Sequence, residues 1–201
     1  MRLSEVKMRS LILHPTSIAQ WHALILEAQK TLSIQLQEEL EAYLVFLLMR
    51  FTGQPDVAHS VLGLDFLEST QQMPNQQPDL LKNVGDKCLL FAGLFPDRAL
   101  RRRVNQAYFI HLGKTAYMNL ASSIILASQA ELFLKLCQEF LLLTDILQAT
   151  REIAQPDYDL MKQIDRWNET GSSFSWHKIQ QATESLPTQP SNAKKNKKSL
   201  H

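Results

Sequence analysis

Two runs of apolar residues at three- and four-residue spacing, meeting at Gly93-Leu94-Phe95-Pro96, constrain this chain more than any other feature. Before the corner, Leu81, Val84, Cys88, Phe91 and Phe95 step along one side of a helix that Pro78 opens. After it, Pro96 starts another turn and the chain reads as helical from about Arg98 to Ser122. A period near 3.6 puts such positions on one face of an α-helix, whereas a half-buried strand needs strict alternation. No alternating stretch and no internal repeat occurs in the 201 residues, so the chain is expected to be all-α. The helix after the corner is apolar almost all round, with Lys114 and Asn119 among its few interruptions, and reads as central.

The other elements follow from the same period. Thr16 or Ser17 opens a first helix, with Gln20 placed for a capping box and Ile18, Trp21, Leu24, Ile25 and Ala28 on its inner side. A second helix, about Leu36 to Phe51, has Leu40, Leu44, Leu47 and Phe51 as its stripe and Glu38, Glu39 and Glu41 at its N-terminal end. Its second half is apolar on nearly every side, which implies neighbours all round or a partner. Gly53 stops it and Pro55 starts a third helix carrying Val57, Val61, Leu64 and Leu67; residues 69–77 read as an exposed loop. A sixth helix, Gln129 to about Arg151, has a narrow polar stripe of Glu131, Lys135, Gln138 and Asp145. Pro156 opens a last helix to about Trp167, and Gly171 follows. The expected architecture is a single compact bundle of six to seven helices packed around the fourth, fifth and sixth. Residues 1–15 form an N-terminal arm, 16–170 the bundle, 171–185 a short docking helix and 186–201 a disordered Lys-rich tail.

Composition narrows the function classes. An apolar fraction of 45% with 20% charged residues suits one globular domain. The net charge is +1, but Lys194, Lys195, Lys197 and Lys198 lie in the tail, so the rest of the chain carries about −3. A slightly acidic body points away from a nucleic-acid-binding domain. Cys88 and Cys137 sit singly in apolar runs, which makes them buried reduced thiols and fits the cytoplasm. Leu11 to Leu13 is too short for a signal-peptide core, and no apolar run approaches the roughly 18–20 residues that cross a bilayer, so no membrane role is expected.

One cluster has the residues for chemistry. Asp86 follows Gly85 one residue from the apolar stripe, where an unpaired carboxylate is costly. Arg101, Arg102 and Arg103 follow the corner, and consecutive helical residues point about 100° apart, so at least one must lean toward the packing side. One of them, or Arg98, is expected to pair with Asp86 or Asp97 and clip the corner. Guanidinium forks also suit a phosphate or carboxylate, so a small anionic ligand is the alternative use of the cluster. Tyr108, His111, Thr115 and Met118 share a helix face, on which His111 reads as a core or boundary residue, and Tyr117 reads as a buried ring with its hydroxyl at a polar edge. Gly85, Gly93 and Gly113 read as points of close helix approach. For metals, Asp56-x-x-His59 is the single Asp/Glu-x-x-His spacing, short of the set a di-iron bundle needs, so no metal site and no cofactor are expected. P-loop, Gly-x-Gly-x-x-Gly, Gly-x-Ser-x-Gly and His-Glu-x-x-His patterns are lacking, and no catalytic residue is assigned.

The block Gly85-Asp86-x-x-Leu89-Leu90-Phe91-x-Gly93-Leu94-Phe95-Pro96, with Tyr108-Phe109 and Gly113-x-x-Ala116-Tyr117 after it, resembles one found in uncharacterised bacterial all-helical proteins. The resemblance covers residues 80–121 and implies a bacterial origin and a recurring helical unit; it brings no activity. The leading expectation is a non-enzymatic protein acting through protein–protein contact, as a homodimer using the apolar excess of the second or sixth helix. A ligand pocket or active site between the fourth and fifth helices, lined by Asp86, an arginine, Tyr108, His111 and Tyr117, is the alternative. A nucleic-acid-associated protein using the arginines and the tail is the third.

Overall fold

The computed structural model describes residues 16–52, 77–95, 105–154 and 159–182. Among these there are eight helices and no strand: α1 (Ser17–Leu32), α2 (Glu38–Thr52), α3 (Gln77–Leu94), α4 (Gln106–Ser123), α5 (Ala127–Gln138), α6 (Phe140–Ala154), α7 (Leu160–Thr170) and α8 (Ser173–Ala182). The N-terminal arm, the helix expected after Pro55, the loop at 69–77, Arg98 with Arg101 to Arg103, and the Lys-rich tail lie outside the described residues.

Helix ends are set by local chemistry. Thr16, in extended conformation, accepts the Ala19 amide at 3.2 Å, so the threonine is the N-cap of α1 and Ser17 is its first helical residue. Asn105 does the same for Tyr108 at 3.0 Å, which starts α4 at Gln106. The run expected to be helical from Arg98 is therefore interrupted at the extended Asn105. The long helix expected from Gln129 is also two: Glu139 leaves helical geometry (φ −89, ψ 12) between α5 and α6.

The most enclosed helix is α6, not α4. Every residue from Leu143 to Thr150 is buried, so α6 has no solvent side over two turns. It is packed against α1, α3 and α8 and touches α4 and α5. Its buried hydroxyls are satisfied by its own backbone: Thr144 donates to Phe140 O and Thr150 to Ile146 O, each at 2.8 Å. By contrast α4 buries Phe109, Ile110, Gly113, Ala116, Tyr117 and Leu120 but leaves Tyr108, His111, Thr115 and Met118 outside.

Three glycines let the central helices approach. A Cβ on Gly93 would lie 2.5 Å from Leu147 Cβ, one on Gly85 2.6 Å from Tyr117 Cδ1, and one on Gly113 2.9 Å from Cys88 Cβ. These contacts bring α3 against α4 and α6, as the sequence led one to expect. A glycine costs roughly 1 kcal/mol relative to alanine in a helix, so here that cost is offset by closer packing. Cys88 and Cys137 are both buried, and neither is in a disulfide.

Candidate functional site

Asp86 is only 3% exposed, on the side of α3 that faces α2 and α4. Its Oδ1 accepts hydrogen bonds from Tyr43 of α2 and, at 2.8 Å, from Tyr117 of α4. Its Oδ2 takes the Lys82 ammonium at 3.2 Å and the Arg50 guanidinium at 3.3 Å. Arg50 continues to Asn83 Oδ1 at 3.1 Å. Lys82 reaches Asp86 because a residue four earlier on a helix lies on the same face. Around the carboxylate the rings close ranks: Tyr43 meets Tyr117 edge-on at 6.4 Å, and Tyr117 lies 5.8 Å from Phe133 and 5.9 Å from Phe140. One carboxylate thus gathers side chains from five helices.

The electrostatics follow from burial. Both phenols are pushed well above the ordinary tyrosine value, chiefly by desolvation and then by the Asp86 charge beside them. They are neutral donors to a carboxylate whose four lone-pair sites have four donors. A base so saturated has no lone pair left for a substrate proton. Beside it, Leu47, Arg50, Phe51, Asn83, Asp86, Lys87 and Leu90 line a cleft between α2 and α3 of about 20 Å³. That is room for one water, far short of the few hundred Å³ that ligand pockets offer.

The sequence reading and the structure part company here. Asp86 and Tyr117 come together as a hydrogen-bonded pair. Tyr108 and His111 do not join them: both are exposed, Tyr108 at 41%. The reason is angular, since Tyr108 and Tyr117 are nine residues apart and so stand about 180° apart on a helix. The pocket imagined from Asp86, Tyr108, His111 and Tyr117 is divided between the inside and the outside of α4, and His111 is neither core nor boundary. An arginine does meet Asp86, but it is Arg50 of α2; Arg101, Arg102 and Arg103 lie outside the described residues.

A second buried carboxylate was read from sequence as part of a solvent stripe. Asp145 of α6 is 1% exposed. It accepts from Ser172 Oγ at 2.6 Å, Ser173 Oγ at 2.9 Å, the Phe174 amide at 3.3 Å and Arg166 at 3.1 Å. It therefore caps the start of α8 from another helix. Ser172 Oγ in turn accepts the Ser175 amide at 3.1 Å. Arg166 is itself buried, and burial lowers its pKa to about 10 even with Asp145 beside it. Among the described residues its Nε has no hydrogen-bond partner, a loss worth roughly 1–3 kcal/mol for a buried donor left unpaired. The sequence signal was the one charged residue between Phe140 and Thr150, together with the Gly171-Ser172-Ser173 turn.

Other polar links tie the periphery. Glu41 of α2 takes His22 and Gln29 of α1, each at 2.7 Å, and Gln29 Oε1 accepts the Leu36 amide at 2.6 Å. Lys135 of α5 reaches Glu39 of α2 at 3.1 Å. Among the described residues no group of three or more His, Cys, Asp and Glu is placed to hold a metal ion, and Asp56 and His59 lie outside them. No described helix is long and apolar enough to cross a membrane.

Part of the outside is apolar: Ile125 is fully exposed and Leu126 58% exposed at the turn from α4 into α5, and Met118 of α4 is 44% exposed. Leu126 holds the N-cap position of α5 in extended geometry with no side-chain hydrogen bond to the helix. Ser122 and Ser123, nearby, donate backward to Met118 O and Leu120 O. The apolar excess of the sixth helix, expected to be a surface, is spent inside: Phe140, Leu143, Ile146 and Leu147 of α6 are each 0% exposed. On α2 one large apolar residue stands out, Phe46 at 61%.

Comparison of the chain with protein-family models, with curated proteins and with solved structures finds no match.

Proposed function

We propose that this chain is a non-enzymatic helical interaction module that pairs with a second copy of itself through the α4–α5 corner. The observation that carries the reading is the corner itself. Its aliphatic residues, Ile125 and Leu126, stand in water at a position where Ser, Thr, Asp or Asn would cap the helix. A sequence that gives up a helix cap and exposes two large aliphatic residues at one turn departs from local rules, and such departures gather at functional surfaces. From Thr115 to Ala130 there is no charged residue. A charge-free patch suits a two-fold contact, in which each side chain meets its own copy and like charges would repel. The saturated Asp86 and the water-sized cleft beside it speak against the same residues acting as a ligand pocket. The likeness to uncharacterised bacterial helical proteins adds no activity.

Light scattering over a range of concentrations tests the reading. The wild-type chain is expected to move from 23.0 kDa toward twice that mass as it is concentrated, and Ile125→Ser/Leu126→Ser to stay at the lower value. A wild-type chain that remains a monomer at every concentration, or a double variant that still pairs, contradicts it.

A further inference from the structure

Tyr108, His111, Thr115 and Met118, which share one face of α4 by spacing, are all exposed. Ser122 continues that face and Ile125 stands just past the end of the helix, both exposed as well. The six positions step by three, four, three, four and three residues, so the row reads alike from either end, its midpoint between Thr115 and Met118. Steps of three and four are the spacing at which one helix buries a seam against another. From Tyr108 to Ala130 the one Asp, Glu, Lys or Arg is Lys114, half-buried beside the row.

The row is also prepared for burial. Thr115 Oγ1 donates to His111 O at 2.9 Å, and Ser122 Oγ to Met118 O at 3.0 Å. Thr144 and Thr150 do the same in α6, the helix with no solvent side over two turns. Hydroxyls whose protons are taken by their own helix lose little when water leaves. The group still to be matched is His111, whose ring makes no hydrogen bond among the described residues. The Ser122 oxygen, its proton already given, keeps lone pairs that accept from such a ring.

A second α4 running in the reverse direction matches these groups. Tyr108 then meets the aliphatic corner at Ile125, His111 meets Ser122, and Thr115 presents its methyl to Met118. A parallel run instead sets His111 against His111 and Ser122 against Ser122, and the serine layer then has no proton to donate. In a two-fold contact the patch as a whole meets its own copy, while within it residue i meets j and j meets i. We propose that α4 pairs antiparallel with α4 of a second copy, about a two-fold axis between Thr115 and Met118, with His111 donating to the partner's Ser122. This rests on the pairing through the α4–α5 corner proposed above, and it fixes what the corner touches: Tyr108 of the partner subunit. From Tyr108 to Ser122 the face is about 21 Å long and about 10 Å wide, short of the roughly 800 Å² per partner of a standard interface. The dimer is therefore weak and reversible.

Disulfide trapping on the full chain tests the direction. Chains carrying His111→Cys are mixed with chains carrying Ser122→Cys, one of the two tagged to differ in mass, and oxidised with glutathione disulfide at a concentration where light scattering shows pairing. Both positions are exposed, so neither substitution threatens the fold, and the native Cys88 and Cys137 are buried. A disulfide needs Cα atoms roughly 4.4–6.8 Å apart, which an antiparallel layer offers to the unlike pair, whereas like residues lie about 16 Å apart along the axis. The mixed disulfide should form about tenfold faster than either variant links to itself. Self-linking of His111→Cys that matches or exceeds the mixed product overturns the antiparallel register. So does a chain that pairs in light scattering yet yields no link at these positions, and that result leaves the corner reading standing. A chain that stays a monomer at every concentration removes both.

Discussion

Replacing Asp86 with asparagine asks whether one carboxylate organises the bundle. The asparagine keeps one oxygen for Tyr43 and Tyr117 but turns an NH2 group toward Lys82 and Arg50, so donors face donors. Charge-assisted bonds are worth about 1.5–3 kcal/mol when buried. Arg50 and Lys82 are 46% and 36% exposed, so solvent screens them and each loss is discounted to about 1 kcal/mol. The buried amide left without an acceptor adds about 1–2 kcal/mol. The sum is roughly 3–4 kcal/mol, and a domain of this size melts about 2–4 °C lower per kcal/mol, so the midpoint should drop by about 6–16 °C. Tyr117→Phe keeps the ring among Phe133 and Phe140 and removes one donor, for about 1 kcal/mol. Calorimetry of both variants and of the pair completes a double-mutant cycle, in which neighbours in one network are expected to be non-additive by at least about 0.5 kcal/mol. An asparagine variant melting within about 1 °C of wild type, or a cycle that is strictly additive, refutes the reasoning.

Other outcomes follow from the same geometry. Tyr43 and Tyr117 have folded pKa values raised well above 10, so the folded state keeps protons that the unfolded state loses. Stability is full below about pH 10 and falls above it, by up to about 1.4 kcal/mol per pH unit for each tyrosine, while Arg166, lowered to about 10, opposes with one proton. Urea unfolding at a series of alkaline pH values should show that decline, and the ultraviolet phenolate signal of these two should appear only as the fold opens. Gly93→Ala presses a Cβ onto Leu147 Cβ, which cannot swing away as a side-chain tip can; a net loss of about 1–3 kcal/mol in denaturant unfolding is expected.

The fold class was legible because 3.6-residue spacing needs only local sequence. The close approaches at Gly85, Gly93 and Gly113 were legible too, since glycine inside an apolar helix has few other uses. The partners of Asp86 were not. Lys82 sits four residues away and could have been found, but Tyr43 and Arg50 are 43 and 36 residues distant, on a helix whose apolar pattern hid a polar edge. Tyr108 and His111 were drawn into the site because α4 is apolar on several sides, so its inner face could not be chosen from composition. Asp145 was misread for a related reason. Its spacing from Glu131 and Gln138 looks like one continuing stripe, yet Glu139 ends α5 and α6 begins a new register. Burial of an acid is settled by what comes to cap it, and Ser172 and Ser173 lie 27 and 28 residues away.

The turn between α4 and α5 gives up a helix cap to keep an aliphatic surface, and Leu126→Ser reads that trade directly. In solution dilute enough for monomers, the serine hydroxyl should cap α5 and raise unfolding stability by about 1 kcal/mol. In concentrated solution the same variant should lose its dimer in light scattering. A variant that is no more stable than wild type and still pairs would show that the corner is neither uncapped at a cost nor used as an interface.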